Sequence, residues 1–279
     1  MRALGVTAEG VRARRWPKRL GALLLLAFGL YAAVVALLWW RQEALLFHPQ
    51  VLAQDHRFDV PADTHEVWVD VPGARLHALH LRLPSPDGVV FFLHGNAGNL
   101  QNWFKADLYR QANFDLFMID YRGFGKSSGR IQSQAQLEAD VMAAWQQVAP
   151  QYAGRKQVIY GRSLGSGLAA GLAAQVQPAL TVLVSPYKSM VALAGEHYPW
   201  VPAVLLRYPL RTDVALAQVG GPVLLAHGAR DGLIPPDHSR ALAHVAPQAR
   251  LLILADADHD NIHQSPAYRA ALRAVLAGR

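Results

Sequence analysis

Val158-Ile159-Tyr160-Gly161-Arg162-Ser163-Leu164-Gly165-Ser166-Gly167 is the stretch on which the reading of this chain turns. Three apolar, strand-favouring residues run into a turn, and Ala-, Leu- and Gly-rich sequence suited to a helix follows over 164–175. A serine on so sharp a strand-to-helix turn takes strained backbone angles that lift its hydroxyl above the sheet. Side chains two positions either side of it would strike the neighbouring strand and helix, and Gly161 and Gly165 remove them. The plainer alternative is a tight turn closed by a capping serine.

Outward from this turn, short and nearly continuous apolar runs recur at 89–93, 114–119, 158–160, 180–184, 223–226 and 251–254. Runs of this length read as buried strands. Helix-capable segments at 134–148, 164–175, 239–245 and 268–276 alternate with them, the pattern of an α/β fold with a mostly parallel central sheet and helices on both faces. Ahead of these, 67–71 and 76–81 alternate apolar and polar residues around Pro72-Gly73, which reads as an antiparallel hairpin. In such sheets the working groups lie on loops leaving the C-terminal ends of strands.

A serine hydroxyl needs a base within hydrogen-bond reach, and the base needs a carboxylate to fix its tautomer. Downstream of Ser163, the run 223–226 ends in His227-Gly228-Ala229-Arg230-Asp231, and 251–254 ends in Ala255-Asp256-Ala257-Asp258-His259. Asp231 and His259 are the candidate acid and base. His227 reads better as a strand-closing hydrogen-bonding residue, and His263 as a helix-start or surface residue, though each remains an alternative base. Backbone donors for a developing oxyanion are expected from Leu164, after the serine, and from Asn96 in His94-Gly95-Asn96-Ala97-Gly98-Asn99. That segment also reads as an ordinary glycine-rich turn. The loop 120–127 has the glycines of a phosphate cradle without the required order of Gly, Lys and Ser, so a structural loop flanking the pocket is expected. The series Asp256, Asp258, Asp260 resembles the start of a calcium loop, yet Asn261 and Ala267 stand where glycine and glutamate are needed, so loop caps, or groups that modulate the basicity of His259, are expected instead.

The 279 residues are 52% hydrophobic and 17% charged with no cysteine, which excludes a disordered chain, a disulfide framework, thiolate metal sites and a cysteine nucleophile. The formal charge of +7 is concentrated at one end. Residues 1–41 carry seven basic side chains against Glu9, and the remainder is nearly neutral, so no broad field for nucleic acid exists.

Residues 20–40 are uncharged and, as a helix, would reach ~31 Å, close to the ~30 Å core of a bilayer. A buried core helix or a cleavable signal peptide are the alternatives. The run exceeds the ~7–15 apolar residues of a signal peptide and exits through Trp39, Trp40 and Arg41, so an uncleaved anchor is expected. The excess of basic residues before it keeps 1–19 in the cytoplasm and carries the rest across, to the periplasm if the source is bacterial. The expected division is therefore a basic tail at 1–19, an anchor at 20–40, a linker packed on the domain at 41–62, and a catalytic domain at 63–279. The interval 187–221 reads as a short lid, in which the apolar, aromatic stretch 198–206 lines an acyl site, touches the membrane or packs as a helix on the sheet.

Taken together, 94–99, 120–129, 161–165, Asp231 with His259, and Leu46-Phe47-His48-Pro49 make the chain resemble the α/β-hydrolase superfamily. It is most similar to the single-pass, membrane-anchored serine hydrolases grouped with α/β-hydrolase-domain proteins twelve, thirteen and seventeen and their bacterial relatives. The resemblance implies a Ser163–His259–Asp231 triad, an oxyanion hole at Asn96 and Leu164, and no metal or organic cofactor. It implies carboxylic esters, thioesters or lysolipids as substrates, with a serine peptidase of the same fold as one alternative. A membrane-tethered binding protein without turnover is the other. Where many relatives have Gly-x-Gly-His-Asn-Asp, this chain has Asp256-Ala257-Asp258-His259-Asp260-Asn261.

Overall fold

The structure is a computed structural model that describes residues 16–278 and comprises two compact units divided after Gln42. In the first, helix α1 (Trp16–Trp40) contains a 23-residue segment, Lys18–Trp40, long and apolar enough to cross a membrane. Residues 1–15 of the expected basic tail lie outside the described residues.

The second unit is built on an eight-stranded sheet. Its strands are β1 (Thr64–Val71), β2 (Ala74–Leu81), β3 (Gly88–Leu93), β4 (Phe114–Ile119), β5 (Lys156–Arg162), β6 (Leu180–Val184), β7 (Val223–Gly228) and β8 (Ala249–Leu254), in the spatial order β8-β7-β6-β5-β3-β4-β2-β1. The hairpin β1–β2 turns through Gly73 at φ +73° and adds its second strand antiparallel to β4, whereas β3 to β8 are mutually parallel. Leu93, Gly161 and Leu183 stand side by side in the ladder, so β3, β5 and β6 open their loops at one edge.

Alternate strand residues feed two apolar cores. Phe91, Ile159, Leu183 and Leu225 point to the face covered by α4 (Gln134–Val148), α5 (Leu164–Val176) and α8 (Asp237–Val245). Phe92, Tyr160, Val182 and Leu224 point to the other, covered by α2 (Leu100–Trp103), α3 (Asp107–Gln111) and α9 (Pro266–Leu276). Burial on both faces explains why these strands read as continuous apolar runs rather than alternating ones.

Between β6 and β7 the chain forms α6 (Met190–His197), a single 3₁₀ turn (Ala203–Leu205) and α7 (Thr212–Leu216). The stretch 198–206 is not the sheet-packed helix that was one expectation. Pro199 and Pro202 interrupt helical hydrogen bonding, and Tyr198, Trp200 and Val204 are exposed. Of residues 41–62, read as a linker packed on the domain, 43–62 fold with the second unit and pair with it: His48–Pro49 runs parallel to Ala97–Gly98.

Below the sheet edge opposite the serine, the Nε2–H of His80 donates to the Tyr152 hydroxyl at 2.7 Å, and that hydroxyl donates to Asp115. Burial, helped by Arg82 and His65, lowers the His80 imidazole from its ordinary 6.5 to about 4. The unfolded chain therefore takes up a proton in this window that the fold refuses, and stability falls as pH drops from 6.5 towards 4. Thermal melts across that range should show His80→Gln, which keeps the donor to Tyr152, losing this share of the acid sensitivity.

Candidate active site

Ser163 follows the last residue of β5 with φ +51° and ψ −118°, a region L-residues rarely adopt. Its N–H donates to the Val184 carbonyl at 2.9 Å, and its own carbonyl accepts from the Ser166 N–H and hydroxyl, which lock the turn from both sides. A Cβ on residue 161 would lie 2.5 Å from Ala169 Cβ, and one on residue 165 only 2.2 Å from the Leu93 carbonyl oxygen. Neither neighbour is a flexible side-chain end, so α5 can approach β3 and β5 only because both positions are glycine. Gly165→Ala should therefore destabilise the fold by about 3 kcal/mol in urea titration, at the upper end for overpacking. Wild-type stability in that variant would show that the elbow can relax.

The loops after β7 and β8 are sewn together before they deliver their side chains. The Ala229 N–H donates to Leu254 O at 2.8 Å and the Arg230 N–H to Ala257 O at 2.9 Å, while a Cβ on Gly228 would sit 2.5 Å from Ala257 O. Asp231 then accepts at Oδ1 from the backbone N–H groups of Leu233 (3.0 Å) and Ile234 (2.8 Å), leaving Oδ2 for His259 Nδ1 at 2.7 Å. An ionised carboxylate only accepts, so the His259 proton lies on Nδ1 and the lone pair on Nε2. That lone pair stands 3.1 Å from the Ser163 hydroxyl. Burial by itself would raise the Asp231 carboxyl, but hydrogen bonds from His227, His259 and the Ile234 N–H outweigh it and hold the group far below the usual carboxylate range.

Leu164 opens α5, so its N–H belongs to the helix-start donors that have no partner within the helix. The Asn96 loop lies against the serine, for a Cβ on Gly95 would be 3.7 Å from Ser163 Cβ. The His48 N–H donates to Asn96 O at 2.8 Å, the Asn96 side chain donates to Leu46 O at 3.2 Å, and Trp103 Nε1 donates to Ala97 O at 2.7 Å. The structure thus brings Ser163, His259, Asp231, Leu164 and Asn96 to one place, with the 46–48 segment, read from sequence as connecting chain and as part of the family resemblance, acting as a brace.

The competing residues play other parts, although His227 Nε2 also stands 3.3 Å from Asp231 Oδ2. His227 is fully buried, accepts from the Ser239 hydroxyl at Nδ1 (2.6 Å) and donates from Nε2 to Ile234 O (2.8 Å), closing its strand. Asp258 caps its own loop by accepting from the N–H groups of Asp260 and Asn261 at 2.9 Å each, and exposed Asp256 pairs with Arg230. No group of residues able to hold a metal ion is found among the described residues. Asp120, buried in its loop, accepts from the Leu100 N–H at 3.1 Å and so fixes the start of α2.

One site neighbour was given no role in the reading of the chain, and another takes a different one. Arg162, the variable residue of the Gly-x-Ser-x-Gly motif, is buried; its Nη2 donates to the His259 carbonyl, Nη1 lies 3.4 Å from His259 Nε2, and Nε donates to His263 Nε2 at 3.1 Å. His263 is therefore neither a free surface residue nor within reach of the serine as base. It sits in the 3₁₀ turn Ile262–Gln264 and holds the guanidinium that holds the His259 loop. The available signal was a charged residue two positions after a buried apolar run, immediately ahead of the serine.

The family model described as serine aminopeptidase, S33, matches residues 84–211. An uncharacterized protein of Mycobacterium tuberculosis is 30% identical over 260 residues, covering 88% of this chain and 90% of its own. Alpha/beta hydrolase domain-containing protein 17B of Xenopus laevis is 32% identical over 175 residues, 61% of this chain and 59% of that protein. Among solved structures, an esterase of Pyrococcus furiosus superposes with a TM-score of 0.66 at 17% identity, over 84% of this chain and 97% of its own, and shares the fold. With its strand order, its strained serine turn and these relatives, the chain belongs to the α/β-hydrolase superfamily, among the hydrolases related to the α/β-hydrolase domain-containing proteins.

Proposed function

We propose that the chain is a membrane-tethered serine hydrolase that cleaves carboxylic esters or thioesters of small or lipid-like molecules through an acyl-enzyme on Ser163. The observation that carries this reading is the relay from the Ser163 hydroxyl to His259 Nε2 at 3.1 Å and from His259 Nδ1 to Asp231 at 2.7 Å. In the forward step Ser163 Oγ bonds to the substrate carbonyl carbon as its proton passes to His259 Nε2, and the carbonyl oxygen takes the electron pair. The N–H groups of Leu164 and Asn96 would hold that oxyanion. His259 returns the proton to the departing alkoxide or thiolate, and a water activated by the same imidazole releases the acid. Asp231 stays ionised throughout, since the bonds it accepts favour the charged carboxylate.

The matched family's description, serine aminopeptidase, favours amide cleavage as the second reading. One experiment separates them: a fluorophosphonate probe with peptide mapping, followed by p-nitrophenyl esters of graded chain length beside peptide amides. Modification of Ser163 with turnover of the esters alone is expected. Turnover of the amides alone would move the chain to the peptidases, and absence of labelling would leave it a tethered binding protein.

The length of α1 supports an anchor, and the basic residues ahead of it support a cytoplasmic N-terminus. Protease added to the outer face of intact spheroplasts should digest a C-terminal tag; a protected tag would reverse this topology. The interval 187–221 is proposed as the short lid over the acyl site.

A further inference from the structure

Beside the relay lies a cavity of about 610 Å³ that neither Ser163 nor His259 lines. Its apolar walls include Phe92 from β3, Trp103 from α2, Leu108 from α3 and Leu272 from α9. That volume is in the range of small-molecule sites. Two of its borders are site-forming elements: Trp103 braces the Asn96 loop, and His263 grips Arg162.

The proton on His263 can be placed by elimination. A guanidinium has donors and no acceptor, so the bond from Arg162 Nε requires a lone pair on His263 Nε2. The neutral ring must then carry its proton on Nδ1. Burial, with Arg162 and His259 nearby, lowers this imidazole to about 3, so the ring is neutral at any ordinary pH. Among the described residues no acceptor meets Nδ1, and the atom is not one of the enclosed orphans such as His94 Nε2. It is a fixed N–H donor on a residue that borders the cavity. Around the rim Lys105 and Arg269 are matched by Asp107 and Asp260, which leaves no net charge to select an ion.

We propose that this cavity is a second binding site, separate from the serine, for an uncharged molecule with an apolar or aromatic body whose carbonyl oxygen accepts from His263 Nδ1. An amide or ester carbonyl supplies the acceptor that this donor lacks, and the walls cover the rest. This inference goes beyond the proposed activity and does not depend on it.

The test is calorimetric titration of N-butylbenzamide into the full chain in detergent, compared with Leu108→Trp, which narrows the cavity, and His263→Phe, which keeps a flat ring and deletes the donor. Because binding rather than turnover is read, a chain with no hydrolytic activity tests the site equally well. Saturable binding that weakens about tenfold or more in each variant is expected, the size of one lost hydrogen bond or its equivalent in covered surface. His263→Phe also strips Arg162 of a partner, so should that variant not fold, Leu108→Trp alone decides. Binding unchanged in Leu108→Trp, or no saturable binding to the wild-type chain, would overturn the proposal.

Discussion

Ser163→Ala is expected to lower ester turnover by about 10⁶-fold, the loss seen when one member of a serine relay is removed and the parts act as a unit. The substitution deletes one oxygen and leaves the turn in place, because the turn is held by the Ser163 backbone and by Ser166 rather than by the lost hydroxyl. Melting temperature should therefore stay close to that of the parent while turnover of p-nitrophenyl acetate, corrected for the uncatalysed rate, collapses. A variant retaining more than about one-hundredth of the parent rate would point to another nucleophile, since backbone donors and binding alone leave only a small residual acceleration.

Asp231→Asn comes next in size, with an expected loss of about 10⁴ in kcat. The geometry dictates which way the new amide must face. Oδ1 of Asp231 accepts from the N–H groups of Leu233 and Ile234, so the amide oxygen has to occupy that side to avoid setting donors against donors. The NH₂ group then faces His259 Nδ1, draws its lone pair, and moves the imidazole proton to Nε2. The Ser163 hydroxyl would meet an N–H where it needs a base. Kinetics of the Asn variant across pH, beside its circular dichroism, separate this tautomer effect from unfolding. A loss of less than tenfold with the fold intact would show that Asp231 does not orient His259.

Much of the framework was legible because its causes are local. The runs 114–119 and 180–184 and the helix 134–148 coincide with β4, β6 and α4, since burial on both faces or on one stripe leaves a continuous or periodic apolar trace. The expected strand 158–160 is longer in the fold, from Lys156 to Arg162, because Gly161 and Arg162 still pair with Leu183 and Val184 although neither looks like a strand former. Pairing partners, not propensity, set that boundary. The stretch 198–206 misled for the opposite reason: its apolar content suggested a packed helix, while two prolines removed the hydrogen bonds a helix needs.

The order of residues along the chain by itself determined the alternating strands and helices, the glycines that let a serine stand on a strained turn, and which loops would bring Asp231 and His259 to that serine. Each of these is a short-range demand of backbone sterics or side-chain burial, visible within a few residues. Only the tertiary structure decided that Arg162 bridges His259 and His263 across 97 and 101 positions, that His48 braces Asn96, and that a cavity bordered by His263 lies beside the relay. Those arrangements depend on where separate loops arrive in space. A hydrogen-bonding side chain leaves no periodic trace in its own neighbourhood to announce a partner one hundred residues away.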